Sequence, residues 1–277
     1  MNRIAIKAIV KKDIGAIGSS IQMWLPMILV PLIFVVVYPL IILASFQSGR
    51  SNIAGNGTEF LLKIIDSLPS GAIKGEILAF STLPQQIAYL FVNYLFSPLF
   101  MLIPVMVASI ISANSFAGEK EKKTLETLLF SPIGERDLLL AKVLASFLPA
   151  QIITIFSALI YGAVIDIAGY HFFGSMIFPS GNWILTVFWI SPAISLLAVL
   201  INVFISAKVK GYQEAQQLSI IVILPVIALF IAQITGFLFL GNLASFLLGA
   251  ALFILDALCL RLAAKTFNRQ KMFLSRH

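Results

Sequence analysis

The chain has 277 residues, 60% of them hydrophobic and only 11% charged, with a mean hydropathy of +1.00. Soluble domains carry about a quarter charged residues, so this composition excludes a soluble globular protein and specifies an integral membrane protein. The net charge of +7 needs no nucleic-acid partner, because membrane proteins concentrate Lys and Arg on their cytoplasmic side.

Residues 1–20 do not read as a signal peptide. The first apolar run starts near Ile21 and is too long for a signal core, and no cleavage site accompanies it. Ile6, Ile9, Val10, Ile14 and Ile17 recur at helical spacing, with Lys7, Lys11 and Lys12 on the other face. That pattern predicts an amphipathic helix in the headgroup plane; a frayed basic tail is the alternative. Asp13 falls on the apolar side.

Six apolar runs occupy residues 21–265, at about 23–46, 87–111, 138–165, 183–207, 218–240 and 243–262. At about 1.5 Å per residue each can cross about 30 Å of hydrocarbon. Pro26, Pro31 and Pro39 in the first run, and Pro98 and Pro104 in the second, predict kinks rather than breaks. Residues 47–86 form the longest polar region, read as an external loop. Within it, Phe60, Leu61, Ile64, Ile65 and Leu68 suggest a short amphipathic helix ending before Pro69. Asn56-Gly57-Thr58 matches a glycosylation sequon, a triplet common by chance. Trp183 opens the fourth run and suits an interfacial belt. The fifth and sixth runs nearly fuse at Gly241-Asn242; the alternative is that 233–249 dips in and out as short re-entrant helices. Residues 266–277 are a basic tail.

Between the second and third runs stands 117–132, the most highly charged segment. Glu119 is spaced to pair with Lys122 and Lys123, and Lys122 with Glu126. Leu125, Leu128 and Leu129 give one apolar stripe, and Pro132 ends the pattern. The reading is a short amphipathic helix on the membrane surface, within reach of a soluble partner; an ordinary solvated loop helix is the alternative.

Chemistry is largely absent. Gly118 to Thr124 superficially matches a phosphate-binding loop, but Lys123 replaces the required second glycine and no strand precedes it. With a longest polar stretch of only about forty residues, no nucleotide-binding domain fits, so the chain is not expected to hydrolyse ATP by itself. Asp166 and His171 lie at a membrane edge without a nucleophile elbow, which favours a loop role and leaves no catalytic residue. One cysteine, Cys259, and two histidines, His171 and His277, give no metal site. Asp256, Asn93, Asn202 and Gln233 are the candidate intramembrane polar positions. For Asp256 a substrate or proton contact competes with a structural pair to Arg261; for the amides the ordinary role is interhelical hydrogen bonding. Phe91, Phe96 and Phe100 follow the second run at roughly helical spacing, as packing or as the lining of a path.

Six spans put both termini on one side. Of 19 Lys and Arg residues, only Arg50, Lys63 and Lys74 fall on the opposite side. That segregation predicts cytoplasmic termini and a cytoplasmic charged segment.

The stretch 116–133, Phe-Ala-Gly-Glu-Lys-Glu-Lys-Lys-Thr-Leu-Glu-Thr-Leu-Leu-Phe-Ser-Pro-Ile, resembles a signature of type-2 ABC exporter permeases. Residues 206–217, Ser-Ala-Lys-Val-Lys-Gly-Tyr-Gln-Glu-Ala-Gln-Gln, are similar to that family's loop between its fourth and fifth spans. The layout is also similar over the whole chain, an all-α membrane protein with six transmembrane helices and an N-terminal interfacial helix. Lys123 departs from the glycine that many members carry.

The resemblance implies the type-2 ABC exporter fold, with 118–130 as a coupling helix under which a separate ATP-binding subunit docks. Glu119, Glu121, Thr124 and Glu126 would face that subunit, with Leu128 and Leu129 in the same coupling surface. It further implies two ATPase subunits and a second permease chain, identical or not. ATP and Mg would be bound on the partner, with no cofactor on this chain. The setting would be the plasma membrane of a prokaryote, with a substrate path between the permeases lined by the second and fifth spans. The substrate class stays open among lipid, peptide, drug and ion. An ATPase-independent secondary transporter or channel is the competing function.

Overall fold

The protein is described here from a computed structural model, over residues 3–18, 20–47, 72–122 and 134–266. Every apolar run within them is helical. A backbone in hydrocarbon has no water to satisfy it, and a helix bonds its own N–H and C=O groups. Among the described residues, six helices are long and apolar enough to cross a membrane: Met23–Gln47, Leu83–Glu121, Arg136–Phe173, Gly181–Lys208, Tyr212–Ile234 and Asn242–Ala263, the first to sixth spans. No strand occurs among the described residues.

The second and third helices run well past the predicted 87–111 and 138–165. Each reaches 39 residues, or about 58 Å, longer than a bilayer core is thick. The polar residues that end their apolar runs, such as Gln85, Gln86, Ser115 and Asp166, are held by tertiary hydrogen bonds, so the helices continue through them. The fifth span stops short of the predicted 240. Ile234 is its last residue, Gly236 takes a positive φ of 74°, and 235–241 links it to the sixth span without a helix. The re-entrant alternative for 233–249 is therefore not what the chain adopts. The first span runs on through its prolines, with a wide π turn at Ile33–Val37. The 60–68 amphipathic stretch lies outside the described residues. Ala72–Leu78, which the sequence left as loop, is a short helix.

The second span is the central column. Of its most apolar window 83% is buried, against 28%, 22% and 17% for the first, fifth and sixth. Its π turn at Phe91–Leu95 joins five spans. Val92 carbonyl accepts from Tyr161 Oη at 2.8 Å and Trp183 Nε1 at 3.3 Å. Asn93 carbonyl accepts from Asn182 Nδ2 at 3.3 Å, and Tyr94 carbonyl from Gln233 Nε2 at 3.1 Å. Ser245 Oγ of the sixth span then donates to Asn182 Oδ1 at 2.9 Å. A π turn widens the backbone ladder, which brings carbonyls within reach of side chains on the third, fourth and fifth spans.

Aromatic packing surrounds this joint. Phe96 stacks on Tyr161 at 4.9 Å, and Tyr161 meets Trp183 at 4.5 Å. Trp183 is 1% exposed, so it is a core anchor rather than the interfacial belt residue its position suggested. Phe96 and Phe100 are likewise wholly buried. Asp166 takes the loop role: its Oδ1 accepts from the backbone N–H groups of Ile177 and Phe178, at 3.0 and 3.2 Å.

Candidate functional site

At the end of the bundle holding the N-terminal helix Arg3–Gly18, the second span closes with another π turn, Asn114–Gly118, followed by Glu119–Glu121. Ser115 and Glu119, four residues apart, share one helix face. Lys142 comes to them from the third span, and Lys12 and Asp13 from the N-terminal helix. Lys142 Nζ donates to the Glu119 carboxylate and to the Ser115 carbonyl, lies 3.3 Å from Ser115 Oγ, and sits 5.2 Å from the centre of the Phe116 ring. Lys12 Nζ bonds the other oxygen of Glu119 and lies 3.7 Å from Asp13 Oδ1. Ser115 Oγ closes the ring by donating to Asp13 Oδ2 at 2.6 Å.

Two carboxylates and two ammonium groups balance, which is how charges survive burial. Lys142 is wholly buried, Asp13 is 6% exposed and Glu119 8%. Lys12 stays half in solvent. Burial alone would lower its pKa, but the Glu119 and Asp13 carboxylates outweigh that and hold it above its ordinary value. Ile9, packed with Leu138 and Ala141, supplies the apolar support beside the ring. The N-terminal helix thus rests on the third span through Ile9 and on the second through Asp13, while Ile14, expected on the apolar face, is 41% exposed.

The residues next to Glu119 bind the other way. Glu121 Oε2 accepts from the Tyr212 N–H at 2.9 Å, and Lys120 Nζ donates to the Val209 carbonyl at 2.9 Å. Gly211 permits this approach, because a Cβ there would lie 2.7 Å from Glu121 Oε2. Residues 119–121 are therefore pinned on two sides. One side is the ring with the first 18 residues and the third span; the other is the 207–212 link between the fourth and fifth spans.

Glu119 turns its carboxylate inward onto Lys12 and Lys142 rather than outward; Lys123, one of the partners its spacing suggested, lies outside the described residues. Exposed pairs within one helix contribute only tenths of a kcal/mol, whereas the ring offers a nearly dry carboxylate two cations. Thr124, Glu126, Leu128 and Leu129 lie outside the described residues. Asp13 and Lys142 were not singled out together from the sequence. The signal was there: one acid on the apolar side of an amphipathic helix and one base just inside a span, of opposite sign.

The four intramembrane polar candidates do not converge. Asn202 Oδ1 accepts from Ser219 Oγ, joining the fourth and fifth spans. Gln233 supports the π turn that contains Asn93. The Asn93 amide and both Asp256 oxygens are buried without a hydrogen-bond partner among the described residues. Arg261 is exposed and makes no ion pair with Asp256, so the expected structural pair is not formed.

Residues 7–252 match the family model described as ABC-2 family transporter protein. No curated protein and no solved structure matches the chain.

Proposed function

The chain belongs to the ABC-2 transporter family and is a permease component of an ABC transporter, and from that premise we propose that it is the membrane subunit of an ATP-driven exporter. A separate ATP-binding subunit docks on 117–132 and carries the ATP and Mg. Two permease chains and two ATPases form the working unit, with both permease termini cytoplasmic. This orientation is supported by the one-sided distribution of Lys and Arg.

The observation that carries the reading is the charge ring at the root of the docking segment. Nucleotide-driven closure of the ATPases displaces 123–133. Glu119 is locked to Lys12 and Lys142, so that displacement cannot be absorbed locally. It passes to the second and third spans and the N-terminal helix as one body. The bonds from Lys120 and Glu121 to 207–212 are the other output. They lie nearer the surface, and the fifth span begins at Tyr212. Switching requires contacts that differ between two states. The ring is the fixed contact and the 207–212 bonds are the exchangeable one.

The test is reconstitution with an ABC ATP-binding protein, sought first in the neighbouring reading frames. Glu126→Lys is expected to abolish ATPase capture. Glu121→Lys is expected to keep capture while ATP hydrolysis loses its coupling to transport. A purified complex with no ATP hydrolase, or normal transport by both variants, refutes the reading.

A further inference from the structure

The N-terminal helix Arg3–Gly18 is held to the bundle by the apolar side that an interfacial helix ordinarily gives to lipid. Ile9 is buried against Leu138 and Ala141, and Asp13 is tied to Ser115. These anchors also fix its depth. Leu138 opens the apolar run of the third span, and the helix carrying it begins just before, at Glu135. The N-terminal helix therefore lies alongside the third span rather than below its end. Gly18 leads almost directly into the helix of the first span, which begins at Ile21. Both neighbours place the N-terminal helix where hydrocarbon gives way to headgroups.

The side turned away from the bundle is basic. Arg3, Lys7 and Lys11 recur every four residues, so they follow one stripe, and all three are exposed. None pairs with a carboxylate among the described residues. Asp13, the one acid of this helix, is turned inward to Ser115 and Lys12. Like charges four residues apart repel each other, so the stripe is stabilised by an anion from outside the chain. Ile4 is 84% exposed and Ile14 41%, and both flank the stripe on the same face. Isoleucines interleaved with cations suit a boundary of charged headgroups and acyl chains better than bulk water.

We propose that the Arg3–Lys7–Lys11 stripe binds the headgroup phosphates of anionic phospholipids in the surrounding leaflet, with Ile4 and Ile14 reaching the acyl boundary. An ordinary interfacial helix inserts its apolar face and gains from charge as a supplement. Here the bundle takes the apolar face, so headgroup charge is the main hold of this helix on the bilayer. Lys12 and Asp13 are corners of the charge ring on the same helix. Lipid bound to the stripe therefore also steadies the ring. The inference names a partner for a surface that the coupling reading leaves unused.

The experiment is native mass spectrometry of the full chain in a neutral detergent, titrated with phosphatidylglycerol or phosphatidylcholine. The readout is the dissociation constant of the first bound lipid. The native chain is expected to bind phosphatidylglycerol about tenfold or more tightly than phosphatidylcholine. Each cation at an anionic lipid surface contributes about fivefold. Lys7→Gln and Lys11→Gln should each weaken phosphatidylglycerol by about that factor, and the triple variant with Arg3→Gln should abolish the preference. The paired Lys7→Arg and Lys11→Arg chain should keep it. Arg136→Gln with Lys208→Gln and Lys210→Gln removes three exposed cations elsewhere and should also keep it. An excess of inorganic phosphate should not displace the lipid. Thermal unfolding identifies any variant that fails to fold, and the single variants then carry the test.

The proposal is overturned if the native chain binds the two lipids alike, or if the triple variant keeps its preference. It is equally overturned if the comparison chain with three charges removed elsewhere loses as much, or if inorganic phosphate displaces the lipid, which would make the stripe a site for free anions. No ATPase enters this assay. Its failure leaves the coupling reading intact, and a failure to capture an ATPase leaves the lipid stripe intact.

Discussion

Replacing Lys142 by Met keeps the length of the side chain and removes the one wholly buried cation of the charge ring. Asp13 and Glu119 are then left sharing only Lys12, whose side chain is 51% exposed. A unit pair about 3 Å apart at an effective dielectric of about 20 is worth about 5 kcal/mol. Breaking a buried pair from one side destabilises by about 3–5 kcal/mol, since the other charge stays buried. Glu119→Gln is expected to have an effect in the same range, stranding Lys142 between Ser115 and the Phe116 ring. The double variant carries neither stranded charge, so it should recover most of the loss. Two-state unfolding of the purified chain in mixed micelles gives the four free energies of the cycle. Singles near native stability, or a double variant whose loss equals the sum of the singles, would refute the claim that Lys142 and Glu119 act as a pair.

Lys12 gives a pH prediction with a definite sign. Its folded pKa is raised above the ordinary 10.5. Its contribution is therefore fully present below pH 10.5 and lost as pH rises through the folded value. Native and Lys12→Met chains should differ in melting temperature at pH 7 and converge in strong alkali; half-exposure keeps the pH 7 difference small. Gly249→Ala places a Cβ on the Trp189 indole and breaks the 3.0 Å bond from Trp189 Nε1 to the Phe246 carbonyl. Overpacking of this kind destabilises by about 1–3 kcal/mol, read as a lower melting temperature with altered tryptophan fluorescence. Gln233→Leu removes the donor to the Tyr94 carbonyl. Interhelical bonds in membranes average about 0.6 kcal/mol, so a small loss is expected; a loss of several kcal/mol would mean that the π turn depends on that bond.

Hydropathy made the helical segments legible, because a run of twenty apolar residues has few alternatives to a membrane helix. It failed where polar residues are satisfied by other parts of the molecule. The second helix continues past Ser115 because that hydroxyl reaches Asp13, and the third passes Asp166 because it caps its own following loop. Trp183 at the start of a span looked interfacial, yet its indole N–H bonds the Val92 carbonyl in the core. Local spacing could not find the lysines that hold Glu119 for the same reason: helical periodicity sees neighbours three and four residues away, while Lys12 and Lys142 are 107 and 23 residues distant.

By itself the amino-acid order determined the helical class, the number of spans, the family and the charged segment between the second and third spans. These follow from local composition and short motifs, which need no knowledge of neighbours. Only the folded bundle decided that Glu119 turns inward onto two lysines, that a π turn joins five helices, and that Asp256 is buried with no hydrogen-bond partner among the described residues. Each depends on which faces of distant helices meet, and burial, not sequence distance, sets the strength of the charges found there.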